Sequence, residues 1–452
     1  MTMSSLALRS LRFRPGAFAA SFASMFLGAV ILMAFASMLD TSGGPGVSST
    51  DEETLITMAT VVGGWGLVIV AFAVGSMLTL SVRQRSAELA LLKSVGATPA
   101  QVRRMIVGET ALLAVVAAAA AIPLAVPTGR LVFELLQSSG QVGEGVGYRF
   151  GGFAITIGVG ITLLASTIAA LVTARRATRM RAADAIRDAA IEDPHMSRKR
   201  VVAAGLFLAA GINCGVVTAT VFHGKGSDAM QTAGQASIWS SIGLALFAPA
   251  LVRVVSRVLA GPVERIGGAS GYLTVQNVRG RTKEMAGAVM PIILFTGIAT
   301  GTIYMQSIEN AAMEGLVKTN EQSNIETLNF VVVGMVALFA AIMLVNTLVA
   351  ATTYRRREFG QQRLAGSTPP QVLRMVTLES LVLAATGVLF GSIASIATVV
   401  PYSIARTDSV LPDATIAISL GIVTAAAALT LAASLGATRR AIRTPAIRAA
   451  VS

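Results

Sequence analysis

Four kinds of residue in this 452-residue chain are of a type that does chemistry, and each fails on its spacing. The two histidines, His195 and His223, fall in different loops on either side of the apolar run 201–222, so they cannot share a metal ion. The single cysteine, Cys214, lies inside that run, which rules out an intrachain disulfide or a thiolate cluster. A phosphate-cradling loop needs G-x-x-x-x-G-K-[ST]. The sole Gly-Lys pair is Gly224-Lys225, with Ala219 where the first glycine belongs and Gly226 where the hydroxyl belongs. Two carboxylates, Glu109 and Glu379, sit at the edge of apolar runs, where an ionisable group is costly and usually functional. Both lie close to basic segments, so they read as partners of Arg104 and Arg374, or as caps of a nearby corner, rather than as a proton relay. With no catalytic constellation, the chain reads as a non-enzyme.

The elements around these residues are apolar helices. A mean hydropathy of +0.70, with 54% hydrophobic and 13% charged residues, describes an all-α integral membrane protein. Ten runs read as spans, at roughly 17–39, 57–82, 106–127, 152–174, 201–222, 237–252, 286–306, 329–353, 375–401 and 414–436, and all but the shortest, 237–252, exceed the about 18 apolar residues that cross a bilayer. The first follows Arg9, Arg12 and Arg14 as a signal peptide would, but it is too long for one and reads as a retained span. On this ten-span plan, 31 of the 36 Lys and Arg fall on one side, and only Arg130, Arg149, Lys225, Lys318 and Arg406 on the other. That asymmetry places both termini in the cytoplasm. It also accounts for the net charge of +13 without a nucleic-acid partner.

The chain is duplicated. Laying 85–113 over 355–383 without a gap matches eleven residues, among them Arg85/Arg355, Glu88/Glu358, Gly96/Gly366, Thr98/Thr368, Pro99/Pro369, Gln101/Gln371 and Glu109/Glu379. "LALRSLRFR" (6–14) precedes the first span as "LTVQNVRGR" (273–281) precedes the seventh, and "ARRATR" (174–179) ends the fourth as "TRRAIR" (438–443) ends the tenth. Each repeat is a basic lead-in, four spans and a basic exit. The divisions are 1–190, 191–265 with the middle pair of spans, and 266–452. Four spans per repeat and two between them give both copies one orientation, related by a pseudo-twofold axis along the membrane normal.

The repeated phrase, "LKSVGATPAQVRRM" (92–105) and "QRLAGSTPPQVLRM" (362–375), predicts a sharp corner. Gly96 suits the left-handed conformation that ends a helix. Thr98-Pro99-Ala100-Gln101 then carries an N-cap, a proline at the first helical position and a glutamine that reaches back to the cap. The product is a stiff elbow: a helix, a turn, and a new helix running into the third span. A two-fold partner offers two equivalent contact sites, and one chain fills both by presenting the same surface twice.

With "R-x-x-E-(x)7-G-A-T-x-x-Q-(x)7-E" before span three and "ARRA" after span four, the chain resembles the FtsX/MacB-like permease family of ABC transporters. Two such units around two extra spans are similar to its ten-span, BceB-like branch, over residues 5–188 and 271–448. The resemblance implies that the elbows are coupling segments seated in a separate ATPase subunit. It assigns that role to Glu88, Leu89, Gly96, Ala97, Thr98 and Gln101, and to Glu358, Gly366, Ser367, Thr368 and Gln371. The second copy departs from the pattern, with Phe359-Gly360 and Gln361-Gln362 in place of the first copy's Leu89-Ala90 and Leu91-Leu92, and its elbow helix is expected to be weaker. The inner loops are too short for a nucleotide-binding domain, so ATP and Mg are expected on the partner, a homodimeric ATPase, and no cofactor on this chain.

The outer segments 40–56, 128–151, 223–236, 307–328 and 402–413 are too short for the large extracellular domain of the named relatives. The expected cargo is therefore lipophilic or amphipathic, a drug, peptide, lipid or haem-like molecule entering from the bilayer. Asn213 and Asn346 read as helix–helix hydrogen bonds or as polar points on its path. The alternative is a mechanotransmitter that passes ATPase motion to a cell-wall enzyme or sensor bound at the outer face. The bias of 31 Arg to 5 Lys and the abundant Ala point to a GC-rich bacterium, and the expected location is the bacterial plasma membrane.

Overall fold

A computed structural model of the chain describes residues 15–64, 67, 74, 75, 78, 82, 89, 91, 92, 94–138, 140–179, 196–314, 326, 330, 333, 334, 341, 344, 345, 347, 348, 355–412 and 415–447. These residues are helical with short connections, and none of them is in a strand. The chain divides into two compact units, Met1–Ile191 with Lys318–Met335, and Glu192–Val317 with Val336–Ser452.

In the first unit, α1 (Pro15–Ser42) leads to α2 (Ser49–Thr57), which passes into a π turn at Met58–Val62; α3 (Pro99–Ser138) and α4 (Gly152–Arg179) follow. The uniformly apolar α1 is a core helix. Its Ala29, Val30 and Met33 pack on Ala118, Ala121 and Ala125 of α3, whose small side chains let the backbones approach. Gly158 brings α4 equally close, since a Cβ there would fall 2.2 Å from the Met33 Cγ. At the end away from the elbow, Asp40 caps α4 from a different helix. Its carboxylate accepts the N–H groups of Gly151, Phe153 and Ala154 at 2.9, 3.0 and 2.8 Å, three donors that a helix start leaves without partners. Thr41 and Ser37 hold the same connection through Arg149 N–H (3.1 Å) and the Tyr148 hydroxyl (3.1 Å).

The second unit contains α5 (Arg198–Thr220), α6 (Ala229–Leu246), α7 (Ala248–Gly267), α8 (Ala269–Gly280), α9 (Thr282–Ala312), α10 (Arg356–Leu364), α11 (Pro369–Thr407) and α12 (Ile416–Ile442). Its centre is the crossing of α6, α9 and α11, where glycines replace side chains. A Cβ on Gly391 would lie 2.6 Å from the Thr296 Cβ, and one on Gly387 2.4 Å from the Ile292 Cγ2. Ser237 N–H donates to the Thr398 hydroxyl at 2.8 Å, and that hydroxyl donates to the Ala233 carbonyl, which locks α6 to α11.

Among the described residues, seven helices are long and apolar enough to cross a membrane, or eight if the bent pair α6–α7 is one span. They coincide with expected spans one, three to seven, nine and ten. Spans two and eight lie largely outside the described residues. The sixth span is a correction. The expected run 237–252 is a break: α6 ends at Leu246 and α7 leaves at 71°. Thr232, Gln235 and Ser237 lowered the apparent hydropathy of a stretch that is helical from Ala229, with Ser237, Ser240 and Ser241 buried among neighbouring helices. Beyond the break α7 is amphipathic, with Leu251, Val252, Leu259 and Val263 turned to the core and Arg257 and Arg265 exposed. Arg200 closes the broken end by donating from Nε to the Leu246 carbonyl at 2.7 Å.

Two further helices outrun expectation. α3 holds 40 residues and α11 holds 39. At 1.5 Å per residue each is about 60 Å long, twice the roughly 30 Å of a bilayer core. Both run through internal prolines, Pro123 and Pro127 in α3 and Pro401 in α11.

Candidate functional site

Each unit builds the predicted elbow at the foot of its longest helix. Gly96 has φ +97° and Gly366 φ +101°, the left-handed region that the corner requires. Among the described residues beyond the chain neighbours, neither has an atom within 4 Å of where a Cβ would stand, so the described surroundings give the glycines a conformational rather than a spatial reason. Ala97 N–H returns to the Leu92 carbonyl at 2.9 Å, and Ser367 N–H to the Gln362 carbonyl at 2.9 Å, the bond from beyond the glycine that closes a helix end. The next helix then starts on its cap. Thr98 N–H donates to the Gln101 Oε1 at 2.8 Å while Gln101 N–H donates to the Thr98 hydroxyl at 3.3 Å. Thr368 N–H donates to the Gln371 Oε1 at 2.8 Å. Pro99, and the Pro369-Pro370 pair, occupy positions where an N–H would have no partner.

Behind each turn lies a small apolar core in matching register. Leu89 packs with Val82, Val102, Ile106 and Ala174. Phe359, its counterpart, packs with Val372, Met375 and Val376 and against Ala441 and Ile442. The departure from the repeat at Phe359 is thus a larger plug in the same hole. Leu89 is buried inside the elbow, whereas Gly96, Thr98 and Gln101 are exposed, as are Gly366, Thr368 and Gln371; Ala97 and Ser367 are half-buried beside them. The exposed surfaces differ between copies. The first offers Leu91, Leu92 and Val95, the last 87% exposed; the second offers Gln361 and Leu364.

Glu358 turns inward. Its Oε2 accepts from Arg281 at 2.6 Å and from Arg355 at 3.4 Å, and its Oε1 accepts from Gln362 at 3.3 Å. Glu379 corrects the expected pairing. Its carboxylate is held by Arg355, 24 positions earlier, while Arg374 donates to the Ile266 carbonyl at 2.6 Å. Burial works against the Arg355 charge, the Glu379 and Glu358 carboxylates work for it, and the balance raises its pKa. Arg363 fastens α10 to the end of α12 through the carbonyls of Ile442 and Thr444 at 3.0 and 2.9 Å. Arg281, Asn277 and Arg363 carry no expected role, although Arg281 corresponds to Arg14 in the repeated lead-in.

Glu88 and Asn346 lie outside the described residues. Asn213 stands on an exposed face of α5 and makes no helix–helix hydrogen bond among the described residues, which corrects that expectation. Trp239 stacks on Phe207 at 5.6 Å, a packing role.

An all-helical, multi-pass membrane protein with two matched elbows under two long helices defines a class of transmembrane subunit. The sequence model described as FtsX-like permease C-terminal matches it twice, at residues 60–182 and 330–446, each match carrying one elbow. The matches cover more than half of the chain, and the chain belongs to the FtsX-like permease family. Among curated proteins, none matches the chain. The family makes it a permease subunit of the ABC transporter type, a membrane subunit that partners an ABC ATPase and is generally non-catalytic.

Proposed function

We propose that the chain is the membrane half of an ATP-driven exporter, gripped at its two elbows by a homodimeric ATPase that carries the ATP and Mg. The observation that carries this reading is the repetition of one turn, bond for bond, at the foot of α3 and of α11. A protein with one asymmetric partner has no use for the second copy. An unbroken helix of about 60 Å moves as one piece, so a push at its foot arrives at its far end. The residues proposed to meet the ATPase are Gly96, Ala97, Thr98, Gln101, Gly366, Ser367, Thr368 and Gln371. Leu89 and Glu358 hold the elbows in shape, and Glu88 is proposed for the coupling segment by its alignment with Glu358.

On the ten-span plan the elbows and both termini face the cytoplasm of a bacterial cell, where the charge bias of 31 to 5 puts them. The cargo proposed is lipophilic or amphipathic and enters from the bilayer, because the outer connections supported by Asp40, Thr41 and Asp51 are too short to form a soluble receptor. Exposed Asn213 supports a polar point on that route. The test is reconstitution with the ATPase in lipid nanodiscs. Hydrolysis is expected to rise with the chain present and to rise further with a cationic amphiphile. Hydrolysis indifferent to the chain would overturn the reading.

A further inference from the structure

A ring of five polar side chains, closed through the backbone where Arg281 N–H donates to the Asn277 carbonyl at 3.0 Å, joins α8, α10 and α11 at the second elbow. Arg355, at the start of α10, donates from both terminal nitrogens to Glu379 of α11, one of these bonds at 2.9 Å. Asn277 of α8 donates to the same carboxylate at 2.8 Å. Arg281, just beyond α8, donates to Glu358 of α10 at 2.6 Å, and Glu358 leads back to Arg355. The ring holds two cations and two anions, and its inner pair is almost wholly removed from water, Arg355 being 5% and Glu379 3% exposed. The Arg355 guanidinium also lies 5.0 Å from the centre of the Phe359 ring, the plug of the elbow core.

A buried ion pair of this kind contributes little net stability, because desolvation cancels most of the attraction, but it fixes geometry. Its bonds are directional and its loss leaves a stranded charge, so α10 has one low-energy angle against α8 and α11. The turn at Gly366 is closed by the Ser367-to-Gln362 bond and the Gln371 cap, and the ring adds the contacts that tie α10 to α8. The sequence repeats the same charges. Arg355, Glu358 and Glu379 are three of the eleven identities, aligned with Arg85, Glu88 and Glu109, and Arg281 aligns with Arg14. Glu109 is buried to the same 3%. None of these residues builds the capped turn, which leaves the turn's chemistry unable to explain why they recur.

We propose that the ring is a positioning clamp, which holds the elbow helix, the lead-in helix and the long helix as one rigid lever so that motion delivered at the elbow moves α11 instead of bending the turn. The clamp rests on the elbow being the ATPase contact, and its test separates the two. On a Cys214→Ser background, spin labels at exposed Tyr272 of α8 and Leu364 of α10 report the interhelix distance by pulsed EPR, and the reconstituted complex reports hydrolysis. The variant is Arg355→Met with Glu379→Leu, which removes both buried charges together and so avoids a stranded one. Arg281→Gln, at the more open edge of the ring, is the companion should the double variant not fold.

The wild-type distance is expected to be single and narrow in the absence of any ATPase. In the variant it broadens, and ATPase binding persists while stimulation falls about tenfold. A merely stabilising pair predicts otherwise, because its apolar replacement restores full stimulation. A distance that stays narrow in the variant overturns the clamp, and so does full stimulation despite a broadened one. Failure of the wild-type complex to bind or stimulate an ATPase strikes the functional reading, and the distance still decides whether the ring holds the lever.

Discussion

At the scale of the residue, Gly96 and Gly366 carry the clearest physical requirement in the chain. Their φ values near +100° lie where a β-branched side chain is strained, and no described residue beyond their chain neighbours crowds them. Gly96→Val with Gly366→Val costs about 1–2 kcal/mol of backbone strain at each site. Spans insert as before, and stimulated hydrolysis is lost. The matching Asn substitutions tolerate the left-handed conformation and are expected to retain at least half of it, so comparing the two pairs in the same assay isolates the turn. Asp40 is the second case. Asp40→Ala strips three N–H partners from the start of α4 and is expected to destabilise the first unit by about 1–3 kcal/mol, read as a lower melting temperature in detergent.

The glycine and the Thr-Pro-x-Gln cap were legible because they act within six positions of the chain, where local geometry follows from residue type. The ionic ring was not, because its partners come from separate helices: Arg281 meets Glu358 77 positions away, and Asn277 meets Glu379 102 away. Arg374, nearer in sequence to Glu379, was the natural guess, but its guanidinium caps the end of α7 at Ile266 instead.

At the scale of the element, α11 is both the longest helix of the second unit and the one packed through glycine against α9. Seven of the expected spans were readable from hydropathy, since an apolar run of that length has one stable form in lipid. The lead-in 273–281 was equally plain, and α8 buries Thr274, Val275 and Val278 on one face. What hydropathy misplaced were the bounds of the sixth span: 229–236, with Gln231, Thr232 and Gln235, read as an outer segment, and the break after Leu246 fell inside the expected run. The lengths of α3 and α11 were missed for the related reason that their ends leave the membrane and lose the apolar signal without losing the helix. Gly391→Val, which drives a side chain into Thr296 and the Ile293 carbonyl, is expected to destabilise the second unit by about 1–3 kcal/mol or more. The corresponding measurement is the detergent-solubilised fraction surviving a temperature ramp. Unchanged survival would show that α9 and α11 are not packed through glycine.

At the scale of the whole molecule, the chain is a permease subunit of the FtsX-like family, and its proposed work depends on which side of the membrane the elbows occupy. The exposed patches of the two elbows differ, with Leu91, Leu92 and Val95 on one and Gln361 and Leu364 on the other, so the proposed homodimeric ATPase would meet two related but unequal surfaces. Replacing Leu91 and Val95 by serine is therefore expected to weaken ATPase affinity more than replacing Leu364, by about tenfold against twofold in a binding titration. The central measurement places a photo-cross-linker at Ala97 in one sample and at Ser367 in another, in cells that also make the ATPase. Both positions are predicted to cross-link to the ATPase from inside the cell and to stay unlabelled by an impermeant thiol or amine probe from outside. An elbow that reacts from outside, or an ATPase caught by neither position, would contradict it.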